Sequence, residues 1–313
     1  MGLSSVFFMN VIILGTKRKL LPVYNYCRDK NYNISVIGNP KANHENDTDI
    51  LTSIATNDIE IIPDIVINMK EHSSYLIKET RLNEKFGLNG NYSNTFFWSK
   101  QCQDETFKSL NIPTVPNESD TVIIKTDMSG GTGFKICNRK KAHGFYQDYL
   151  DIDYIVSCHL YSDGKTWYHL NNHKIWYEDN CPSKSITPCT LGEDYDMIDE
   201  SINKLSKHLH VHNKLFGLQF LKSKDGNLYP IDFNLRPFGG YDMGSYDTDV
   251  SKENWCNYIF GNIPPAYIDY HSQVMCHYTE KRLFGYSPVK RLKTDIKKMR
   301  FKVKRYDSIL LPI

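Results

Sequence analysis

The chain has 313 residues, more than one core of ordinary size, and its 40% apolar content predicts two or three packed domains. A formal net charge of +2 excludes a general attraction to nucleic acid, and a mean hydropathy of -0.48 argues for a soluble protein. Eight cysteines without a C-x-x-C pair predict free thiols in a reducing, cytoplasmic setting rather than a disulfide framework.

The first apolar run, Val6–Leu14, is too short to span a membrane and is interrupted by Asn10. Its basic residues, Lys17-Arg18-Lys19, follow the run, whereas a signal peptide carries them before it. The run therefore reads as a buried strand, Val11–Gly15, followed by a helix over Lys19–Asp29 and a second strand over Ile34–Gly38. After the polar connection Asn39–Asp49 come short strands at Ile59–Ile62 and Ile65–Ile67, then a helix over Glu71–Phe86. Strands alternating with helices predict a parallel sheet covered on both faces. Asn94–Leu110 reads as a helix carrying Lys100. A small α+β region follows, to about Asp153, and then an antiparallel sheet to about Tyr270. Within that sheet lie a hairpin around Ser162-Asp163-Gly164-Lys165 and a helix over Asp194–His210, whose apolar stripe is Met197, Ile198, Ile202, Leu205 and Leu209.

From Lys281 onward there are eleven Lys/Arg against two Asp/Glu, which puts +9 there and leaves -7 elsewhere. The apolar ending Ile309-Leu310-Leu311-Pro312-Ile313 predicts a packed segment with a solvated basic face, not a nucleic-acid or membrane arm. His208, His210 and His212 fall at a helix end, where their spacing scatters them, so they predict no metal site. Cys181 and Cys189 are read as bystanders.

Two segments carry chemistry. In Thr121–Lys135 a β-branched run ends in Lys125, and the loop Ser129-Gly130-Gly131-Thr132-Gly133 follows. Glycines let backbone N–H groups turn inward around phosphate oxygens, and the lysine adds a point charge. The lysine precedes the glycines, so this is no Walker A loop, and the G-x-G-x-x-G spacing of a dinucleotide fingerprint is absent. In Gly217–Gly240 two strands flank a turn at Lys224-Asp225-Gly226-Asn227. Gln219 lies on the first strand. Asp232 and Asn234 lie on one face of the second, with Arg236 a step further. Oxygen ligands beside an arginine suit Mg²⁺ and the phosphates it escorts.

In this order the pieces resemble the ATP-grasp superfamily of carboxylate–amine ligases over nearly the whole chain. Lys100 stands where the family has a helix-borne lysine, and Ile112-Pro113-Thr114-Val115-Pro116 is similar to the segment leading into the family's lid. Lys125 and the Gly-rich loop follow. Gln147-Asp148-Tyr149-Leu150 is similar to the hinge that grips adenine, and Asp153 stands at the ribose acid, without the usual preceding glycine. At Gln219 the family more often has an acid, and at Asp232 it has Glu; members like carbamoyl-phosphate synthetase use Gln, Glu and Asn.

The resemblance implies an α/β and α+β ATP-grasp fold. Its parts would be a Rossmann-like pre-ATP-grasp domain at 1–93, a linker helix and mobile lid at 94–153, and a central antiparallel domain with the basic C-terminal segment at 154–313. It implies ATP bound by Lys100, Lys125, Ser129, Gly130, Gly131, Thr132, Gly133, the hinge Gln147–Leu150 and Asp153. Two Mg²⁺ ions, with Mn²⁺ as a substitute, would sit on Gln219, Asp232 and Asn234. Arg236 and Lys125 would act in catalysis, and Arg236, Gly239, Gly240 and Tyr241 would face the substrate. The implied activity is ligation of a carboxylate to an amine through an acyl phosphate, on an amino acid or small peptide. The partners would be small molecules, with no nucleic acid or membrane, and a homodimer is compatible. Two alternatives stay open: bicarbonate-dependent carboxylation of an amine, and a non-catalytic nucleotide-binding module.

Overall fold

A computed structural model of the protein describes residues 9–14, 17–37, 62–69, 73–88, 95–97, 99–125, 134–179, 181–211, 214–235, 252–278 and 290–308. They fall into two compact units, Met1–Ser93 and Asn94–Ile313.

In the first unit β1 (Asn10–Leu14) lies between β2 (Asn33–Ile37) and β3 (Ile65–Asn68), parallel to both. Parallel neighbours need a crossover, and α1 (Lys17–Asp29) supplies the one from β1 to β2. Val11–Leu14 are fully buried, as expected of a strand covered on both faces. Leu82 of α2 (Ser73–Phe86) joins Ile12, Leu14, Ile37 and Val66 in the core. Of the expected strand over Ile59–Ile62, 59–61 lie outside the described residues, and Ile62 belongs to no strand and is 72% exposed.

The second unit contains two sheets. A small one has the antiparallel order β5-β4-β6, from β4 (Thr121–Lys125), β5 (Phe134–Asn138) and β6 (Tyr146–Asp148). The large one comprises β7 (Ile152–Ser162), β8 (Thr166–Glu178), β9 (Cys181–Thr187), β10 (Lys214–Ser223), β11 (Leu228–Asn234), β12 (Tyr267–His277), β13 (Lys290–Lys302) and β14 (Lys304–Asp307). Its order is β11-β10-β7-β8-β9-β12-β13, with β14 also paired to β8.

Cross-strand partners share a face, so one face carries Asp232, Gln219, Ser157 and His173 in register. The same face holds an apolar cluster that includes Ile155, Ile175 and Leu221. Tyr154 and Lys222 point the other way, and both reach Asp194, the residue before α4 (Tyr195–Ser206). The expected helix over Asp194–His210 is thus shorter. His208 and His210 follow its end, and no cluster of three metal-binding side chains occurs among the described residues. A further helix, α5 (Lys252–Ile259), precedes β12.

The antiparallel sheet runs well past Tyr270, through β13 and β14. Residues 292–295 of β13 are exposed, so that strand forms by pairing with β12 rather than from an apolar pattern of its own. Val303 and Tyr306 are buried, and Tyr306 donates to Asp199 at 2.7 Å, so β14 packs, while the apolar ending Ile309–Ile313 lies outside the described residues. All eight cysteines are free thiols. Among the described residues no helix is long and apolar enough to cross a membrane.

Candidate functional site

The hairpin of β10 and β11 sets the site. Gln219 pairs with Asp232 and Phe220 with Pro230, so Ile231 is an extra residue, a β-bulge. The bulge lets Ile231 join the apolar cluster while its neighbour Asp232 stays opposite Gln219. Pro230 is tolerated because β11 ends the sheet. Asn234 donates its Nδ2 to Oδ2 of Asp232 at 2.6 Å, which places both on one face as the alternation predicts. Gln219 donates Nε2 to Ser157 Oγ at 2.9 Å, which commits its amide nitrogen and leaves the amide oxygen as the atom that could hold a metal.

The expected helix over Asn94–Leu110 is broken into a single 3-10 turn, Thr95–Phe97, and α3 (Lys100–Ser109). Ser99 caps α3 by accepting from the Cys102 N–H, so Lys100 is its first helical residue. Gln103 fastens α3 to β11. Its Nε2 donates to the Phe233 carbonyl at 3.0 Å, and its Oε1 accepts from the Phe233 N–H at 3.2 Å. Phe96 and Phe97 pack on the Phe233 ring at 5.1 and 5.8 Å. These contacts bring Lys100 into an ion pair with Asp232 Oδ1.

Lys125 ends β4, half-buried, and its amine is pushed down to about 7, by burial first and then by the Lys100 ammonium, with Asp104 opposing. Asp104 also accepts from Gln147 Nε2 at 2.7 Å and pairs with Lys108 at 2.7 Å, so α3 is tied to the hinge strand β6 as well. Gln103 and Asp104 were not singled out by the sequence. Their contacts join residues 43 and 130 positions apart, which no local pattern reports.

The four residues Gln147–Leu150 have different surroundings. The buried Asp148 carboxylate accepts from the N–H groups of Glu118 and Ser119 at 3.0 and 2.9 Å and from Arg139 at 2.9 Å. Its side chain thus holds the small sheet together. Tyr149 donates its N–H to the Thr121 carbonyl at 3.1 Å. Leu150 packs on the apolar cluster together with Tyr229 and Ile231. Gln147 is buried, and its Oε1 has no partner among the described residues. Asp153 is exposed near the start of β7, two residues ahead of Ile155. Ser129, Gly130, Gly131, Thr132, Gly133, Arg236, Gly239, Gly240 and Tyr241 lie outside the described residues.

One carboxylate and two amide oxygens form a hard-oxygen set that fits Mg²⁺ when phosphate oxygens and water complete the shell. With a single formal charge, the set is too weak to form a cage by itself.

At the level of sequence, no family model and no curated protein matches the chain. Solved structures do. N5-carboxyaminoimidazole synthetase from Staphylococcus aureus, complexed with ADP, superposes with a TM-score of 0.64 at 16% identity, over 87% of this chain and 82% of that one. L-amino acid ligase from Bacillus licheniformis gives 0.61 at 13% identity, over 86% and 79%. The biotin carboxylase domain of 2-oxoglutarate carboxylase from Hydrogenobacter thermophilus, in complex with MgADP, ADP and bicarbonate, gives 0.60 at 17%, over 87% and 74%. These likenesses, with the large antiparallel sheet beside the small one, establish that the chain has the ATP-grasp fold.

Proposed function

We propose that this chain is an ATP-dependent ligase that activates a carboxylate as an acyl phosphate and joins it to an amine, releasing ADP and phosphate. An amino acid or small peptide is the proposed substrate class. The observation that carries this is the pairing of Lys100 with Asp232, beside Asn234 and Gln219 on the edge hairpin of the large sheet, with Lys125 of the small sheet near enough to Lys100 to feel its charge and an apolar cluster on the same face.

A planar base stacks on the apolar cluster of Leu150, Ile155, Leu221 and Ile231, and the Gln147 Oε1 is an acceptor for its exocyclic amine. The triphosphate then points along the polar row toward Lys100 and Lys125, whose charges match its oxygens. A bound Mg²⁺ on Asp232, Asn234 and Gln219 would neutralise charge between the β- and γ-phosphates. A carboxylate repels electron pairs, and phosphorylation turns one of its oxygens into part of a leaving group. The amine attacks the carbonyl carbon, the C–O bond to phosphate breaks, phosphate leaves with that oxygen and the bond's electron pair, and the nitrogen gives up its extra proton to the departing phosphate or to water. Arg236 is the candidate cation for the negative charge that develops, and closure of the small sheet with its Gly-rich loop would keep water from the acyl phosphate.

A second reading is favoured by the synthetase and carboxylase neighbours: bicarbonate takes the place of the carboxylate and the amine is carboxylated. Oxygen transfer separates the two. A carboxylate labelled with heavy oxygen delivers one labelled atom to phosphate in the ligase. In the carboxylation that atom comes from labelled bicarbonate. Absence of label in phosphate from either source refutes both readings.

A further inference from the structure

The opposite charges of the site are paired with each other. Lys100 forms an ion pair with Oδ1 of Asp232, and Oδ2 of the same carboxylate accepts from Asn234. Both charged groups are largely withdrawn from water, with side chains 14% and 20% exposed, so their attraction is little screened. A divalent ion approaching Asp232 meets an ammonium already in contact with its ligand. No group of three Asp, Glu, His or Cys side chains is present among the described residues to outweigh that repulsion.

Lys100 is also poorly placed for the helix it begins. It occupies the first position of α3, where the N-terminal end of the helix dipole disfavours a cation, and no acid stands in that first turn. Gln103 holds the helix backbone to Phe233, while the four-carbon stem of a lysine can reorient.

We propose that Lys100 is a placeholder cation: it occupies Asp232 in the free protein and yields it to a divalent metal only when nucleotide phosphates draw the ammonium away. Metal and nucleotide then bind cooperatively, and free metal is excluded. By linkage, each raises the affinity of the other by the same factor. This rests on the nucleotide-site reading above.

The test uses Mn²⁺ as the probe, with free ion counted by its paramagnetic resonance, on the full chain with and without ADP, scored against ADP alone. In the wild-type protein, Mn²⁺ should bind on the order of 10- to 100-fold more weakly without ADP than with it, the weight of one charge-assisted hydrogen bond. Lys100→Met, without nucleotide, should bind Mn²⁺ more tightly than wild type by a similar factor while losing affinity for ADP. Adding Asp232→Asn should erase that gain and so locate the ion. If Lys100→Met does not fold by circular dichroism, Lys100→Gln serves in its place. Equal Mn²⁺ affinity in wild type with and without ADP, or no gain in the lysine variant, overturns the proposal. Failure of ADP to bind wild type overturns the nucleotide reading instead, and the gain in the variant still decides the placeholder role.

Discussion

The most quantitative consequence concerns Lys125. Its amine is lowered from 10.5 to about 7, chiefly by burial and next by Lys100. Nucleotide phosphates bind the ammonium form, so binding should take up a proton wherever the free amine is neutral. With a value of about 7, the protonated fraction falls from about a quarter at pH 7.5 to about a thirtieth at pH 8.5. ADP affinity should therefore fall about eightfold across that unit, or ~1.2 kcal/mol. Phosphate groups with a second ionisation near about 6 are already fully charged there and contribute little. Calorimetric titration of ADP in two buffers of different ionisation enthalpy should report uptake of about 0.8 proton at pH 7.5 and nearly one at pH 8.5. Lys125→Met should bind ADP more weakly, with a flat pH profile and no linked uptake. A flat profile in wild type, or equal uptake in the variant, would refute the placement of this amine at the phosphates. The sign for stability is opposite to the usual salt-bridged lysine. Between the folded value of about 7 and the unfolded 10.5 only the unfolded chain holds the proton, so the cost of this residue to the nucleotide-free fold shrinks as pH rises.

Three further outcomes are expected. Gln103→Leu removes both partners of the buried Phe233 backbone groups and should cost ~2–4 kcal/mol in urea unfolding, with weakened ADP binding as Lys100 drifts. Asp148→Asn breaks a buried ion pair and should destabilise by about 3 kcal/mol in the same assay. Under conditions where the variant is folded its ADP affinity should stay within about threefold of wild type, because the side chain serves the small sheet. Leu150→Ala should weaken ADP by roughly tenfold and leave inorganic tripolyphosphate unchanged, since only the base meets the apolar cluster.

Much of the fold could be read from local pattern. The period-two alternation put Asp232 and Asn234 on one face, and the turn at Lys224–Asn227 set the hairpin. The alternating strands and helices of the first unit were also legible. What sequence did not disclose depends on contacts between distant elements. Nothing local marks Gln103 as the clamp on Phe233, or Asp148 as the acceptor for Glu118 and Ser119. The bulge at Ile231 is a matter of pairing between two strands and has no signature in one. β13 reads as a charged run because its partner strand, rather than its own side chains, makes it a strand. The start of α3 was missed for a different reason: aromatic residues at 96 and 97 look helical, yet they are drawn off by packing on Phe233.

The central claim is that Asp232 and its neighbours form a working ATP site for carboxylate–amine ligation. It is tested most directly by ADP release from Mg²⁺ and ATP across a panel of amino acids, singly and in pairs, with and without bicarbonate. Asp232→Ala, shown to be folded, serves as the control. ADP release that requires one carboxylate and one amine, and is lost in Asp232→Ala, is the predicted result. Equal release by wild type and Asp232→Ala would contradict the claim.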